Sequence, residues 1–318
     1  MSRQHPRGAA LLSAMLLVAL VATLSVAATW QQWRSTEVER AERLRIQSRW
    51  LLQGATDWAR LILREDARSD ASDHLAEPWS VPLEEAKIST FLGTSSDADT
   101  AMDALGSASL SGDITDLQSR FNLRNLLQDG RPHAPSVRTL ARLFDALRLP
   151  PQELEMLLTQ LTLALEVPTP GQTAGAHPLL PSEATQLPWL GLSAATALAL
   201  QPYVVLLPER TPINLNTAPV PMLQACLDGL DTAGAQQLAR ARTQNHFRSL
   251  ADVQRATALT DMPLNDAQHS VSTRYFSIRA RLRLGDLVTE ERTVVRRDGL
   301  QVKSLAQAHG APQTRSLQ

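Results

Sequence analysis

Asp73, His74 and Glu77 stand close together and offer two carboxylates and an imidazole, donor types that can hold a divalent metal. The same three residue types in a loop also cap a helix and solvate a turn, so a structural role competes with the metal one. A second set, Asp97, Asp99 and Asp103, lies in the small, polar segment 94–108, with oxygens of the kind calcium accepts. A surface loop is the plainer assignment there. Cys226 is the single cysteine and excludes an internal disulfide framework. Its setting, MLQACLDGL, is an apolar helical pattern, which makes it a small buried hydrophobe in preference to a nucleophile. The seven histidines are scattered, no glycine-rich phosphate loop follows a strand, and no serine has a nucleophile-elbow context. No catalytic constellation emerges, so the chain is read as no enzyme, and no cofactor is expected beyond calcium at the acidic segment. The 31 basic and 32 acidic residues leave a net charge of −1, with no field to draw nucleic acid. At 4% aromatic residues, a stacking platform for bases is excluded as well.

The remaining chemistry is proteolytic and lies at the start of the chain. Arg3 and Arg7 precede Gly8, and the run from Ala9 to Trp33 carries no charge. Ala9 to Trp30 as a helix would be roughly 33 Å long at about 1.5 Å per residue, enough to cross a hydrocarbon core of about 30 Å. Three readings fit: a cleaved secretory signal using Ser25-Val26-Ala27, a plain transmembrane anchor, or a prepilin-type leader cut between Gly8 and Ala9. The short basic leader ending in glycine favours the third. The membrane helix of the mature chain would then start at Ala9 and include Leu11, Leu12, Ser13, Leu16 and Leu17.

The elements that follow are an amphipathic stem, a sheet and a helical body. Between Ala9 and Glu77 there is no proline and one glycine, Gly54, so the helix is expected to continue to about 64–70. Leu44, Leu51, Ala55, Trp58 and Ile62 recur at helical spacing and are expected on its packed face. Leu110, Gly112 and Ile114 alternate as in a strand. Phe276, Ile278, Ala280, Leu282 and Leu284 do so more clearly, with a turn at Gly285-Asp286 and a partner strand in LVTEERTVVRR. Glu290 and Glu291 would face its arginine row or solvent. Between these strands, TLARLFDALRLPPQELEMLLTQLTLAL predicts two helices broken at Pro150-Pro151. A loop over 167–188 leads to a helix in GLSAATALAL, and a second helical unit starts at Ile213, with Thr217 as its N-cap. Beyond Gly299 no periodicity remains, and residues 298–318 read as a disordered tail.

Three segments fall in a recognisable order: Asp73 to Trp79 (DHLAEPW), Gly112 to Leu123 (GDITDLQSRFNL) and Ile213 to Pro219 (INLNTAP). Together with the leader they resemble the K-type minor pseudopilins of bacterial type II secretion systems, over most of the chain from Arg7 to about Arg297. The resemblance implies an α+β fold, with a long N-terminal transmembrane and stem helix and a pilin-like head interrupted by an inserted all-helical domain. In this chain it implies a leader over 1–8, a transmembrane and stem helix over 9–72, and a first pilin-like part over 73–123. The insertion would cover 124–271 in two subdomains, about 124–210 and 211–271, and a closing hairpin 272–297. It also implies a single-pass inner-membrane protein with a periplasmic head, cut by a prepilin peptidase. Its partners would be the I- and J-type minor pseudopilins in a heterotrimeric tip complex and the major pseudopilin. Its role would be to cap the tip of a pseudopilus that exports folded proteins across the outer membrane. Ser13 stands where general pilins carry a glutamate, and Ser119 where the family tends to have glycine. A subunit at a tip has no neighbour above it whose terminal amine needs that acid.

One other function class has a motif. Leu223 to Leu250 resembles a helix-hairpin-helix, a module that grips phosphate through backbone amides of a Gly-apolar-Gly turn. Here the turn is Gly229-Leu230-Asp231, and Asp231 sets a negative charge where phosphate would approach. Arg240, Arg242 and Arg248 do not outweigh it, so no nucleic acid is expected.

Overall fold

Helix α1 (Arg7–Ser69) is continuous. The computed structural model describes residues 7–69, 71–88, 108–165, 178–257, 264–285, 287–310 and 313–314. In the apolar part of α1 the hydroxyls turn back on the helix itself. Thr23 Oγ1 donates to Leu20 O, Ser25 Oγ to Val21 O and Thr29 Oγ1 to Ser25 O, each at 2.8 Å. These donors are satisfied without water, which is what a lipid environment demands. Side chains from 11 to 43 are exposed, and among the described residues this is the one helix long and apolar enough to cross a membrane. The chain divides after Gly54 into two compact units, of which the first is this helical segment.

The second unit, from Ala55, is built on an antiparallel sheet. Its strands are β1 (Leu83–Lys87), β2 (Ser109–Asp116), β3 (Tyr275–Leu284), β4 (Leu287–Asp298) and β5 (Gln301–His309), neighbours in that order, with β6 (Gln313–Thr314) also on β4. One face packs on the last turns of α1 through Ala59, Leu63, Trp79, Phe276, Ile278, Val295 and Val302. Arg60 adds two hydrogen bonds to Val302 O, at 3.0 and 2.6 Å. The buried face of α1 is offset by one residue from the expected stripe. Ala59 and Leu63 are buried, whereas Ile62 lies at the edge and Trp58 is 46% exposed. Thr56 and Asp66 share the buried face, and a hydrophobicity count cannot include them.

Two further expectations change. Glu291 does not face the arginines: it is 1% exposed, on the α1 side, with Thr56 Oγ1 at 3.4 Å. Period-two geometry sends adjacent residues to opposite faces, so only Glu290 can lie opposite Arg281. Residues 301–309 are not a disordered tail but β5, paired to β4 over its length after a turn at Gly299, φ +56°. Only Val302 of that strand is buried, so its order comes from backbone pairing that leaves no side-chain pattern.

Gly112 sits where β2 meets β3, and a Cβ there would come within 2.4 Å of Arg279 O. Gly112→Ala is expected to destabilise the unit by about 1–3 kcal/mol, the usual cost of forcing extra volume into a packed site. Chemical denaturation of the variant checks this, and an unchanged midpoint would refute the close approach.

The body between β2 and β3 carries α2 (Ala134–Ala146), α3 (Pro151–Leu165), α4 (Ala194–Leu200), α5 (Val220–Cys226), α6 (Thr232–Gln244) and α7 (Leu250–Thr257). One large leucine-rich core holds them, including Leu140, Leu143, Leu157, Leu200, Leu223 and Leu238. The body is not purely helical. Phe121-Asn122 pairs in parallel with Val204-Val205, and Ile213-Asn214 with His269-Ser270. Thr217 is not the N-cap of α5; Pro219 takes that position and α5 starts at Val220.

Candidate functional site

The three recognised segments, distant in sequence, meet at one buried polar joint. Asp116, at the end of β2, accepts from Gln118 N at 2.7 Å, Asn214 Nδ2 at 3.0 Å and Thr217 Oγ1 at 2.5 Å. Asn214 Nδ2 also donates to Asp73 O at 3.0 Å, which joins the segment after α1 to the helical body. Gln118 reaches both ways: its Nε2 donates to Pro212 O at 3.1 Å, and its Oε1 accepts from Arg274 N at 2.8 Å. Asn216 brackets Phe247, accepting from its N–H and donating to its carbonyl, both at 2.9 Å. Ser119 closes the turn after β2 by donating to Asp116 O at 2.6 Å, a bond that glycine could not make. These are short polar side chains bonded to backbone, the arrangement that fixes how chain segments cross in a core.

Arg297 lies beside this joint. Its guanidinium contacts Asp66 at 2.9 Å and, more closely, Asp73, and it donates to Leu63 O at 3.3 Å and Thr273 O at 3.2 Å. It also lies over the Phe276 ring, 4.9 Å from the centroid. Asp66, Asp73 and Glu77 bring carboxylate oxygens within 4.8 Å of one another, a donor set a cation would accept. Arg297 supplies the positive charge here, so the arrangement works as an ion-paired clamp. Sequence reasoning found Asp73 and Glu77 but missed Asp66 and Arg297. Arg297 is one of several arginines in an alternating strand, and nothing local distinguishes it.

Burial raises the pKa of Asp66, raises Asp73 to about 6 against the pull of Arg297, and raises Glu77 to about 7. Glu77 Oε2 accepts from His74 N at 2.9 Å and from Trp79 Nε1 at 2.6 Å. Its other oxygen lies 3.8 Å from His74 Nε2, and the His74 ring stacks on His246 at 3.8 Å. A carboxyl whose folded pKa lies above its unfolded value binds more protons when folded, so stability falls as pH rises from about 4.5 to about 7. Both bonds to Glu77 end on one oxygen, so the amide oxygen of Glu77→Gln can keep them. That variant is expected to be more stable than the parent by about 1 kcal/mol or more at pH 8, and near parity at pH 4. Melting curves at the two pH values check it; a variant equally affected at both would show that the charge is irrelevant.

Asp97, Asp99 and Asp103 lie outside the described residues. Gly8 and Ala9 lie in the first turns of α1, with Leu11, Leu12, Ser13, Leu16 and Leu17 following on the same exposed helix. Cys226 is buried, and burial pushes its thiol up to about 12, which removes it as a nucleophile at neutral pH. In the helix pair, Asp231 caps α6 by accepting from Gly234 N at 2.7 Å. Arg242 is spent inside, donating to Leu215 O and Ala218 O at 2.7 Å each. The cap on α6 and the inward Arg242 take up one amide and one arginine that a phosphate grip would use.

Comparison with known proteins gives one family. Models described as type II secretion system protein K match residues 119–209 and 213–273. Type II secretion system protein K of Pseudomonas aeruginosa is 27% identical, over 89% of this chain and 86% of its own. That of Klebsiella pneumoniae is 26% identical over 92% and 93%. A chain in the solved GspK-GspI-GspJ complex of the enterotoxigenic Escherichia coli type 2 secretion system superposes with a TM-score of 0.62. It covers 86% of this chain and 99% of that one at 19% identity, which shows a shared fold.

Proposed function

Because this chain belongs to the type II secretion system protein K family, a minor pseudopilin family, we propose that it caps the tip of a pseudopilus and serves the export of folded proteins. In this reading α1 anchors the chain once in the inner membrane, the second unit lies in the periplasm, and the protein catalyses no reaction of its own. Its partners are the I- and J-type minor pseudopilins, named with the K chain in the related complex. The observation that carries the reading is the helical body between β2 and β3. A domain of roughly 150 residues is on the order of 35 Å across. Repeated in every subunit of a thin filament it would collide with its neighbours, whereas placed once at the top it has free space. Ser13 in place of an acid agrees with a terminal position.

The test is to co-purify the full chain with I- and J-type proteins of the same bacterium and count copies. One copy of each is expected. Long filaments made of this chain alone on over-expression, or no association with either partner, would overturn the assignment. The helix-hairpin-helix alternative predicts DNA retention, which the capped turn and buried Arg242 oppose. The full chain is expected to show no duplex DNA binding at physiological salt, in the range of about 10⁻⁴ to 10⁻⁶ M that non-specific binders reach. A salt-sensitive gel shift at micromolar protein would revive that alternative.

A further inference from the structure

The charge-free run of α1 is longer than a membrane requires. From Ala9 to Trp33 a helix rises roughly 37 Å at about 1.5 Å per residue, against a hydrocarbon core of about 30 Å. The excess is about one helical turn, so length alone leaves the helix free to slide or tilt. Its depth must then be set by residues that prefer the boundary between hydrocarbon and headgroups.

The far end of the run carries such residues. Trp30 and Trp33 lie about one turn apart on α1, and both are exposed. Arg34, the first charge after the run, comes one turn on from Trp30, with its guanidinium 5.7 Å from the centroid of that ring. An indole has an apolar body and a single N–H donor, which suits a surface that is apolar below and wet above. A guanidinium over an indole face keeps its charge on the polar side while its stem lies along apolar surface. Beyond Arg34 the side chains are those of a helix in water: Glu37 pairs with Arg40 at 3.1 Å and Glu39 with Arg43 at 2.6 Å. Counted back from Trp30, the roughly 20 residues that span the core end at Ala10, at the start of the apolar run. Sinking the helix by one turn would carry Arg34 into hydrocarbon, and raising it by one turn would lift both indoles into water.

We propose that Trp30, Trp33 and Arg34 engage the headgroup layer of a phospholipid bilayer, the indoles at the edge of the hydrocarbon and the guanidinium among the headgroups. This belt fixes the depth of α1 and makes Arg34 the first residue of the stem. The proposal rests on the reading of α1 as a membrane anchor and adds the register in which it sits.

The full chain is reconstituted in vesicles of phosphatidylethanolamine and phosphatidylglycerol. Its tryptophan emission is followed with lipids brominated either near the headgroup end or near the methyl end of the acyl chain. Subtracting the spectrum of the Trp30→Phe, Trp33→Phe double variant isolates these two among the chain's six tryptophans. The difference emission is expected to be quenched about twofold more by bromine near the headgroup end, as interfacial rings are. Arg34→Leu should let the pair sink and bring the two quenching strengths to parity. Arg34→Lys keeps a charge on a long stem that reaches the headgroups, so it should preserve the ratio. Washing the vesicles with alkaline carbonate reads the anchor itself. A chain that resists the wash, with difference emission quenched most near the methyl end or by neither lipid, would overturn the belt and leave the anchor standing. An unchanged ratio in Arg34→Leu, or a lost one in Arg34→Lys, would overturn it in the same way. A chain stripped from the vesicles by the wash would overturn belt and anchor together.

Discussion

Arg297→Met is expected to destabilise the second unit by about 3–5 kcal/mol, the range measured when one partner of a buried ion pair is removed. The guanidinium is 9% exposed, and it holds Asp66, Asp73, Leu63 O and Thr273 O at once. Methionine keeps the apolar contact with Phe276 but leaves two buried carboxylates facing each other. Their pKa values are already raised by burial with the arginine in place, so without it both should titrate higher still. The sign follows: the folded variant takes up protons that the unfolded chain releases, so its deficit should widen as pH rises from about 4 towards 8. Arg297→Lys should recover only part of the loss, since one ammonium cannot match a planar fork that reaches two carboxylates. Denaturant titrations of the three proteins at pH 5 and pH 8 check this. A loss below about 1 kcal/mol, or one independent of pH, would show that the cluster is not held by this charge.

Much of the architecture was legible because it is written in periodicity. The apolar run from Ala9, the proline-free helix behind it and the alternation from Phe276 to Leu282 each have a physical period that a fold must respect. What stayed hidden has no period. β5 is ordered by backbone bonds to β4, and its side chains carry no stripe. The buried face of α1 includes Thr56 and Asp66, polar residues whose reason for burial is a partner far along the chain. The joint itself was half legible. Asp73, Asp116, Asn214 and Thr217 lie in segments that could be singled out, but which bonds to which depends on a crossing of chains that no local pattern encodes. Arg297 closes the same joint from 224 residues away from Asp73 and is one arginine among many.

Asp116→Ala is expected to cost about 3 kcal/mol or more, because it strips a shared acceptor from three donors at once. Gln118 N, Asn214 Nδ2 and Thr217 Oγ1 all end on this carboxylate, and a buried donor left without a partner costs about 1–3 kcal/mol. Not all three are fully orphaned. Asn214 Nδ2 keeps Asp73 O, and Thr217 Oγ1 can fall back on Asn214 O, now at 3.3 Å. The backbone amide of Gln118 has no such alternative, so the turn after β2 should loosen first. Asp116→Asn separates hydrogen bonding from charge. Its carbonyl can serve one side, but its amide must then point a donor at a donor, so an intermediate loss is expected. Burial raises the pKa of Asp116, so its charge is tolerated for the bonds it accepts. Its contribution should weaken as pH rises through that raised value, a slope that both variants lose. Hydrogen exchange gives the discriminating readout. Faster exchange at 116–123 and 213–219, with α3 and α6 unchanged, is the expected pattern, since the joint lies between sheet and helical body and not inside either. Uniform acceleration across the unit would mean that Asp116 supports the whole core, and no acceleration would mean that the convergence of the three segments carries no strength.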